Sequence, residues 1–219
     1  MEYIMAPSIL SADFLHLQDD LEKAGEAKYI HFDVMDGLFV PSISFGLPVL
    51  KAVRKATTAV MDVHLMIQDP IRYVKAFKEA GADILTVHVE ACKDVEGTLN
   101  EIKNEGMKVG LSLCPETDLD AIKPYLALID MLLIMSVHPG FGGQAYIPES
   151  TAKIKEAREM IAETHKETYL EVDGGIYQSN VREILEAGAN VIVAGTAVFK
   201  GDIAGNIRAF HEIMASMKH

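Results

Sequence analysis

The sequence predicts an α/β fold, a single-domain (β/α)8 TIM barrel spanning residues 1–219. Three observations predict it. Short β-branched or apolar runs alternate eight times with amphipathic stretches rich in Glu, Lys and Ala, and no linker or low-complexity segment interrupts them. The chain has 219 residues, close to the size of one such barrel. Polar side chains gather at the C-terminal ends of the apolar runs, where barrels carry their chemistry: Ser8, His31 with Asp33, His64, His88, Ser136, Asp173 and Thr196.

Taken in order, strands are expected near 4–8, 29–34, 60–66, 83–88, 107–113, 130–137, 168–173 and 191–195. Helices fill the intervals, among them 70–80, 94–105, 149–165 and 204–217. A short echo closes several of them. Lys23-Ala24-Gly25, Glu79-Ala80-Gly81, Asn104-Glu105-Gly106 and Glu186-Ala187-Gly188 each precede a strand, and glycine there suits the left-handed residue that stops a helix. The competing fold is an open doubly wound sheet, whose mark is G-x-G-x-x-G after the first strand. Pro7-Ser8-Ile9-Leu10-Ser11 stands there instead.

Composition narrows the function. The chain is 49% hydrophobic and 24% charged, enough apolar material for a sizeable core. Acidic residues number 32 against 20 basic ones, a net charge of −12, which argues against nucleic acid or an anionic membrane as partner. A phosphorylated small molecule stays open, because backbone N–H groups can hold phosphate. Charges interrupt every apolar run before the roughly 18 residues of a membrane span. Met1-Glu2-Tyr3 lacks the basic start of a signal peptide, so a cytoplasmic protein is expected. Two cysteines, Cys92 and Cys114, are too few for a disulfide framework or a thiolate zinc site and are read as free thiols.

In Tyr29-Ile30-His31-Phe32-Asp33-Val34-Met35-Asp36-Gly37, residues 31 and 33 share one face of a strand while Ile30 and Phe32 take the other. Met61-Asp62-Val63-His64-Leu65-Met66 repeats the pattern with Asp62 and His64. Leu170-Glu171-Val172-Asp173-Gly174-Gly175 repeats it with Glu171 and Asp173. Polar groups turned into a barrel are costly to bury alone. His31, Asp33, His64 and Asp173 form a mixed nitrogen and oxygen set suited to one divalent cation, whether Zn²⁺, Fe²⁺, Mn²⁺ or Co²⁺. The plainer alternative is separately satisfied polar groups and no metal. Asp62 and Glu171, one step deeper, either orient the histidines or accept backbone hydrogen bonds. His88 is a spare ligand or an ordinary mouth histidine. Met35, Met66 and Met135 fall at strand ends, as core filling or as an apolar collar that keeps water from a reacting centre.

Glycines crowd three successive strand-end loops: Pro139-Gly140-Phe141-Gly142-Gly143-Gln144, Gly174-Gly175, and Gly195 with Thr196. Any one loop is explained by a tight turn. Three in a row suit a phosphate held by backbone N–H groups, in the loops where barrels commonly bind it.

These segments resemble, in order and almost end to end, the ribulose-phosphate 3-epimerase family. The resemblance rests on Ala6-Pro7-Ser8-Ile9-Leu10-Ser11-Ala12-Asp13, His31 to Gly37, Asp62 to Met66, Met135-Ser136-Val137 with Pro139 to Gln144, and Glu171 to Gly175. It implies a metal-binding TIM-barrel isomerase of carbohydrate metabolism and the pentose phosphate pathway, a homo-oligomer acting on a small phosphorylated ketose. One divalent cation would be held by His31, Asp33, His64 and Asp173, with Asp33 as proton acceptor and Asp173 as donor. Ser8 and His64 would contact the sugar. Gly140, Phe141, Gly142, Gly143, Gly174, Gly175, Gly195 and Thr196 would hold the phosphate end. Four positions depart from the family pattern: Leu38 and His138 stand where histidine and asparagine are common, and Ser42 and Cys114 replace asparagines. All four lie in strand-end loops, so allulose 6-phosphate stays open beside ribulose 5-phosphate.

Inverting C3 of a 2-keto sugar removes a proton from one face and returns one to the other, which calls for two carboxylates and stabilisation of the intervening negative charge. A lyase or decarboxylase on the same barrel is the main rival. A Schiff-base lysine would have to sit at a strand end, but Lys28 and Lys108 precede or begin strands, and His31 to Asp36 lacks the lysine of an Asp-x-Lys-x-x-Asp run. A non-catalytic sugar-phosphate binder is the second rival, and a complete acid–base pair argues against it.

Overall fold

Eight short strands lie side by side in parallel in the computed structural model, which describes residues 2–217 and so leaves out Met1 of the N-terminal stretch read above. They are β1 (Ile4–Pro7), β2 (Tyr29–Met35), β3 (Val60–Met66), β4 (Ile84–His88), β5 (Lys108–Leu113), β6 (Met131–Met135), β7 (Tyr169–Asp173) and β8 (Val191–Ala194). Each coincides closely with an expected strand. The pairing order runs β1-β8-β7-β6-β5-β4-β3-β2. A parallel bridge between Ser8 and His31 brings β1 beside β2 and completes the ring of a TIM barrel. The open-sheet alternative is excluded.

Alternation along the strands sorts the side chains into two compartments. Ile30, Phe32, Val63, Leu65, Leu85, Val87, Leu132 and Val172 point outward and pack under the helices in one continuous core. Inside the ring, Ile4, Ala6, Tyr29, Ile84, Met131, Val191 and Val193 form a separate apolar plug toward the strand starts. Above the plug the inward positions turn polar and fully buried: His31, Asp62, His64 and Glu171. The barrel is therefore apolar outside and below, and charged within.

The helices are α1 (Leu17–Lys23), α2 (Leu47–Ala56), α3 (Val74–Ala80), α4 (Val95–Asn104), α5 (Ser150–Glu163), α6 (Val181–Glu186), α7 (Thr196–Phe199) and α8 (Ile203–Ser216). α8 shows why such a segment is helical. Asp202 accepts the Gly205 N–H at 3.0 Å as N-cap, and Ile203, Ile207, Phe210 and Met214 fall on one buried stripe. Asp94 caps α4 in the same way through the Gly97 N–H.

Two details differ from expectation. Gly81, Gly106 and Gly188 do take positive φ, but Gly25 does not. There α1 ends on Ala24, and the Ala27 N–H bonds back to Ala24 O, so the turn closes without a left-handed residue. Among the described residues the interval between β5 and β6 holds no α-helix, only 3₁₀ turns at Leu119–Ala121 and Lys123–Tyr125. Pro124, which has no N–H to give, opens the second turn and prevents continuation into an α-helix.

Candidate active site

Register assembles the centre. β2 and β3 pair so that His31 lies beside Asp62, Asp33 beside His64, and Met35 beside Met66, while β6 and β7 set Met135 beside Asp173. His31 Nδ1 lies 2.7 Å from Asp62 Oδ2, which fixes its proton on that nitrogen. Asp62 thus orients the imidazole, which resolves one of the alternatives left open by the sequence. His31 Nε2 is left buried without a hydrogen-bond partner, 3.3 Å from Asp33 Oδ1 and 3.9 Å from Asp173 Oδ2. His64 Nδ1 lies 3.0 Å from Asp33 Oδ1 and 3.9 Å from Asp173 Oδ2. One donor atom from each of His31, Asp33, His64 and Asp173 falls within 4.8 Å of all the others. A divalent cation fits this set: a buried imidazole nitrogen with nothing to bond faces two carboxylates and a second imidazole.

Electrostatics divides the two aspartates. Burial pushes the Asp33 carboxyl up, but His31 and His64 outweigh it and hold Asp33 well below the usual range. Ser8 Oγ adds a hydrogen bond to Asp33 Oδ2 at 2.7 Å. Asp173 has no such support: burial and then the charge on Asp33 push it up to about 7. Burial also pushes His64 down to about 4, so its ring is neutral. Deeper in, burial and the charge of Asp62 raise Glu171 well above its ordinary range. Neither Glu171 oxygen nor Asp62 Oδ1 has a hydrogen-bond partner, although His31 Nδ1 stands 3.5 Å from Glu171 Oε1. A protonated Glu171 supplies the missing hydrogen to this carboxylate pair.

His88 is neither at the mouth nor among the four. It is fully buried behind His64, with the two Nε2 atoms 2.8 Å apart, the Glu90 carboxylate 3.3 Å from its Nδ1, and the Phe39 ring packed against it.

Above the centre opens a cleft of about 580 Å³. Asp33, Asp173 and Ser8 lie in its walls with Met35, Met66 and Met135, and so do all eight residues read as the phosphate end. His31 and His64 lie beneath it. His64, expected also to touch the sugar, does not line the cleft and has both ring nitrogens engaged. Gly175 (φ +66°) runs so close to the next loop that a Cβ would lie 2.2 Å from Tyr146 N, whereas a Cβ on Gly143 (φ +74°) would meet only Thr196 Oγ1, at 3.7 Å. The cleft also contains Leu10, Ser11 and Tyr177, which the sequence reading missed. Ser11 had a signal: it follows Ser8 by three residues on a 3₁₀ turn, which returns it to the same side. Leu38, Ser42, Cys114 and His138 are not among the residues that line it. His138 instead pairs with Glu116 at the surface, Nδ1 to Oε1 2.6 Å.

Comparison with known proteins follows the same lines. The profile of the Ribulose-phosphate 3 epimerase family matches residues 4–199. The chain is 49% identical to the ribulose-phosphate 3-epimerase of Bacillus subtilis over 199 residues, 89% of this chain and 91% of that one. It is 49% identical to the Synechocystis enzyme of the same name over 90% of this chain and 87% of the other. With the Escherichia coli one it shares 46% over 90% and 89%. Among solved structures, 3-hexulose-6-phosphate synthase from Salmonella typhimurium superposes with a TM-score of 0.73 at 18% identity, covering 97% and 99% of the two chains. A 3-keto-L-gulonate-6-phosphate decarboxylase from Vibrio cholerae superposes with a TM-score of 0.73 at 12% identity over 99% of both chains. At such identities these two speak for the barrel alone.

Proposed function

The chain belongs to the ribulose-phosphate 3-epimerase family, and from that premise we propose that it inverts C3 of D-ribulose 5-phosphate to give D-xylulose 5-phosphate, using one divalent cation. The observation that carries the reading is the convergence of Asp33 and Asp173 on the partnerless nitrogen of His31, with the carboxyl of Asp33 held low and that of Asp173 pushed up. His31, Asp33, His64 and Asp173 would hold the cation. When bound, it supplies Lewis-acid stabilisation of the negative charge that develops beside C2.

The protein's own groups do the rest. Asp33, held low and steadied by Ser8, accepts the C3 proton, and Asp173, whose carboxyl burial and Asp33 push up to about 7, returns one to the opposite face. Met35, Met66 and Met135 keep water from the reacting carbon. For His64 to offer Nδ1 its proton must sit on Nε2. His88 Nε2 accepts it at 2.8 Å, and His88 then carries its own proton on Nδ1, toward Glu90. The glycine loops after β6, β7 and β8 anchor the phosphate at the far side of the cleft. The residues lining the cleft include none of the four divergent loop positions, which supports the pentulose over the hexulose phosphate.

The deciding experiment assays ribulose 5-phosphate and allulose 6-phosphate side by side, before and after chelation. We expect turnover of the pentulose, its loss on chelation and its return with added Mn²⁺. Full activity in verified metal-free protein removes the cation from the proposal, and preference for the hexulose changes the substrate. Leu15, Leu38 and Ile43 are each more than three-quarters exposed. On that ground self-association belongs to the proposal too, and a concentration-independent monomer in sedimentation would remove it.

A further inference from the structure

Behind the first centre lies a second group of donors that the proposed reaction leaves partly unused. His88 Nδ1 stands 3.3 Å from Glu90 Oε2 and 3.8 Å from Cys114 Sγ, and the donor atoms of all three fall within 4.8 Å of one another. The edges of a zinc tetrahedron measure about 3.3 Å from nitrogen to oxygen and about 3.6 Å from nitrogen to sulfur. We propose that His88, Glu90 and Cys114 form a second, thiol-binding cation site, and that filling it empties the four-residue centre through the hydrogen bond between His88 and His64.

The donors are held in place by their loop. Glu90 Oε1 accepts the Cys114 N–H at 2.7 Å and the Thr117 hydroxyl at 2.5 Å, which leaves Oε2 turned to His88. Lys153 Nζ donates to Pro115 O at 2.6 Å and Thr117 O at 2.7 Å and so fixes the turn that carries Cys114. Its charge opposes a cation, while those of Glu90 and Glu116 favour one. Burial, with Glu90 and Glu116, pushes the Cys114 thiol up to about 12, so a bound ion must displace that proton. Zn²⁺ and Cd²⁺, which bind thiolate strongly, suit such a set; Mn²⁺ and Mg²⁺ do not.

The coupling follows from counting hydrogens. An ion on His88 Nδ1 drives the proton of that ring to Nε2. Two hydrogens cannot share the 2.8 Å gap, so His64 must accept there and carry its proton on Nδ1, facing Asp33 Oδ1 at 3.0 Å. The two rings keep two protons between them, and the one lost to solvent is that of the Cys114 thiol. His64 Nδ1 then has no lone pair to give a cation. The new site stands on its own donors; the exclusion rests on the reading of the first centre as a cation site.

The test titrates protein loaded with one equivalent of Mn²⁺ with Cd²⁺. The expected result is a near-ultraviolet cadmium–thiolate band that saturates at one equivalent, with free aqueous Mn²⁺ appearing in the electron paramagnetic resonance spectrum in step. Cys92→Ala should behave as wild type. Cys114→Ala should lack the band, keep basal turnover and bound Mn²⁺, and release Mn²⁺ only at Cd²⁺ concentrations about tenfold higher or more. The site is overturned if wild type shows no band, if Cys114→Ala keeps it, or if that variant releases Mn²⁺ at wild-type Cd²⁺. Saturation of the band with Mn²⁺ still bound overturns the exclusion. A protein that takes up no Mn²⁺ defeats the first reading and the exclusion together, while the band still decides the new site.

Discussion

Asp33 and Asp173 carry the same functional group into the same cavity, and their neighbours drive them apart: two imidazoles and a hydroxyl face Asp33, while the strongest charge facing Asp173 is Asp33 itself. If each serves one face of the sugar, Asp33→Asn and Asp173→Asn should both stop net inversion. Each should still exchange the C3 proton of one epimer in heavy water, and the two variants should label opposite epimers. A cation-loaded variant that interconverts the epimers at near wild-type rate would show that its missing carboxylate is not a base. The same contrast predicts a pH effect in chelated protein. Asp173 binds its proton more tightly folded, near pH 7, than at its ordinary 3.8, so the stability it contributes is complete below about pH 4 and is lost as pH rises through 7. Asp173→Asn should therefore gain on wild type between those limits, by on the order of a few kcal/mol at pH 8. Urea midpoints at pH 4 and 8 measure it, and an equal difference at both would place the cost elsewhere. That His31, Asp33, His64 and Asp173 face one cavity was legible because residues two apart on a strand share a face. The opposed acidities of the two aspartates and the His64–His88–Glu90 chain were not, because they depend on contacts across strands, such as the one 24 residues apart in sequence.

Elements were easiest to read where one face is apolar and the other is not. All eight strands were legible as short apolar runs, three of them with polar residues two apart, and α8 as an amphipathic interval to which the structure adds the cap and the stripe. Phe210, fully buried under the barrel wall, is the anchor of that stripe. Phe210→Ala should cost about 3–5 kcal/mol in denaturant unfolding and leave kcat/KM per folded molecule unchanged. Asp202→Ala should cost about 1 kcal/mol through the lost cap. A drop in kcat/KM at full folding would mean that α8 does more than close the wall. What escaped were the irregular connections. Gly25 sits in a turn shaped by the hydrogen bond from Ala27 to Ala24 rather than by glycine's freedom, and the β5–β6 interval abandons the helix at Pro124. Both outcomes are set by how the chain must travel between strands, which local periodicity does not encode.

At the scale of the molecule, a protein of net charge −12 that is to hold a phosphate, as proposed, must do so through local backbone N–H groups, for which the glycine loops lining the cleft are suited. Unphosphorylated ribulose should therefore lose most of its kcat/KM, since the remote group orients the reacting carbon. Gly143→Asp, which sets a like charge there, should raise KM for ribulose 5-phosphate in steady-state assays far more than it lowers the melting temperature. Comparable efficiency on the free sugar would rule out the anchor. The seam between β1 and β2 carries a different consequence. Ser8 bridges to His31 there with its backbone and holds Asp33 with its hydroxyl, while β1 is paired along its length only with β8, residues 191–194. A chain being synthesised can lay down β2, β3 and β4 in order, but β1 has no lasting seat until β8 exists. The seat of Asp33 thus depends on the seam that β8 completes. If Asp33 is the base, turnover should report completion of the ring, and a chain that stops short of β8 should leave substrate untouched.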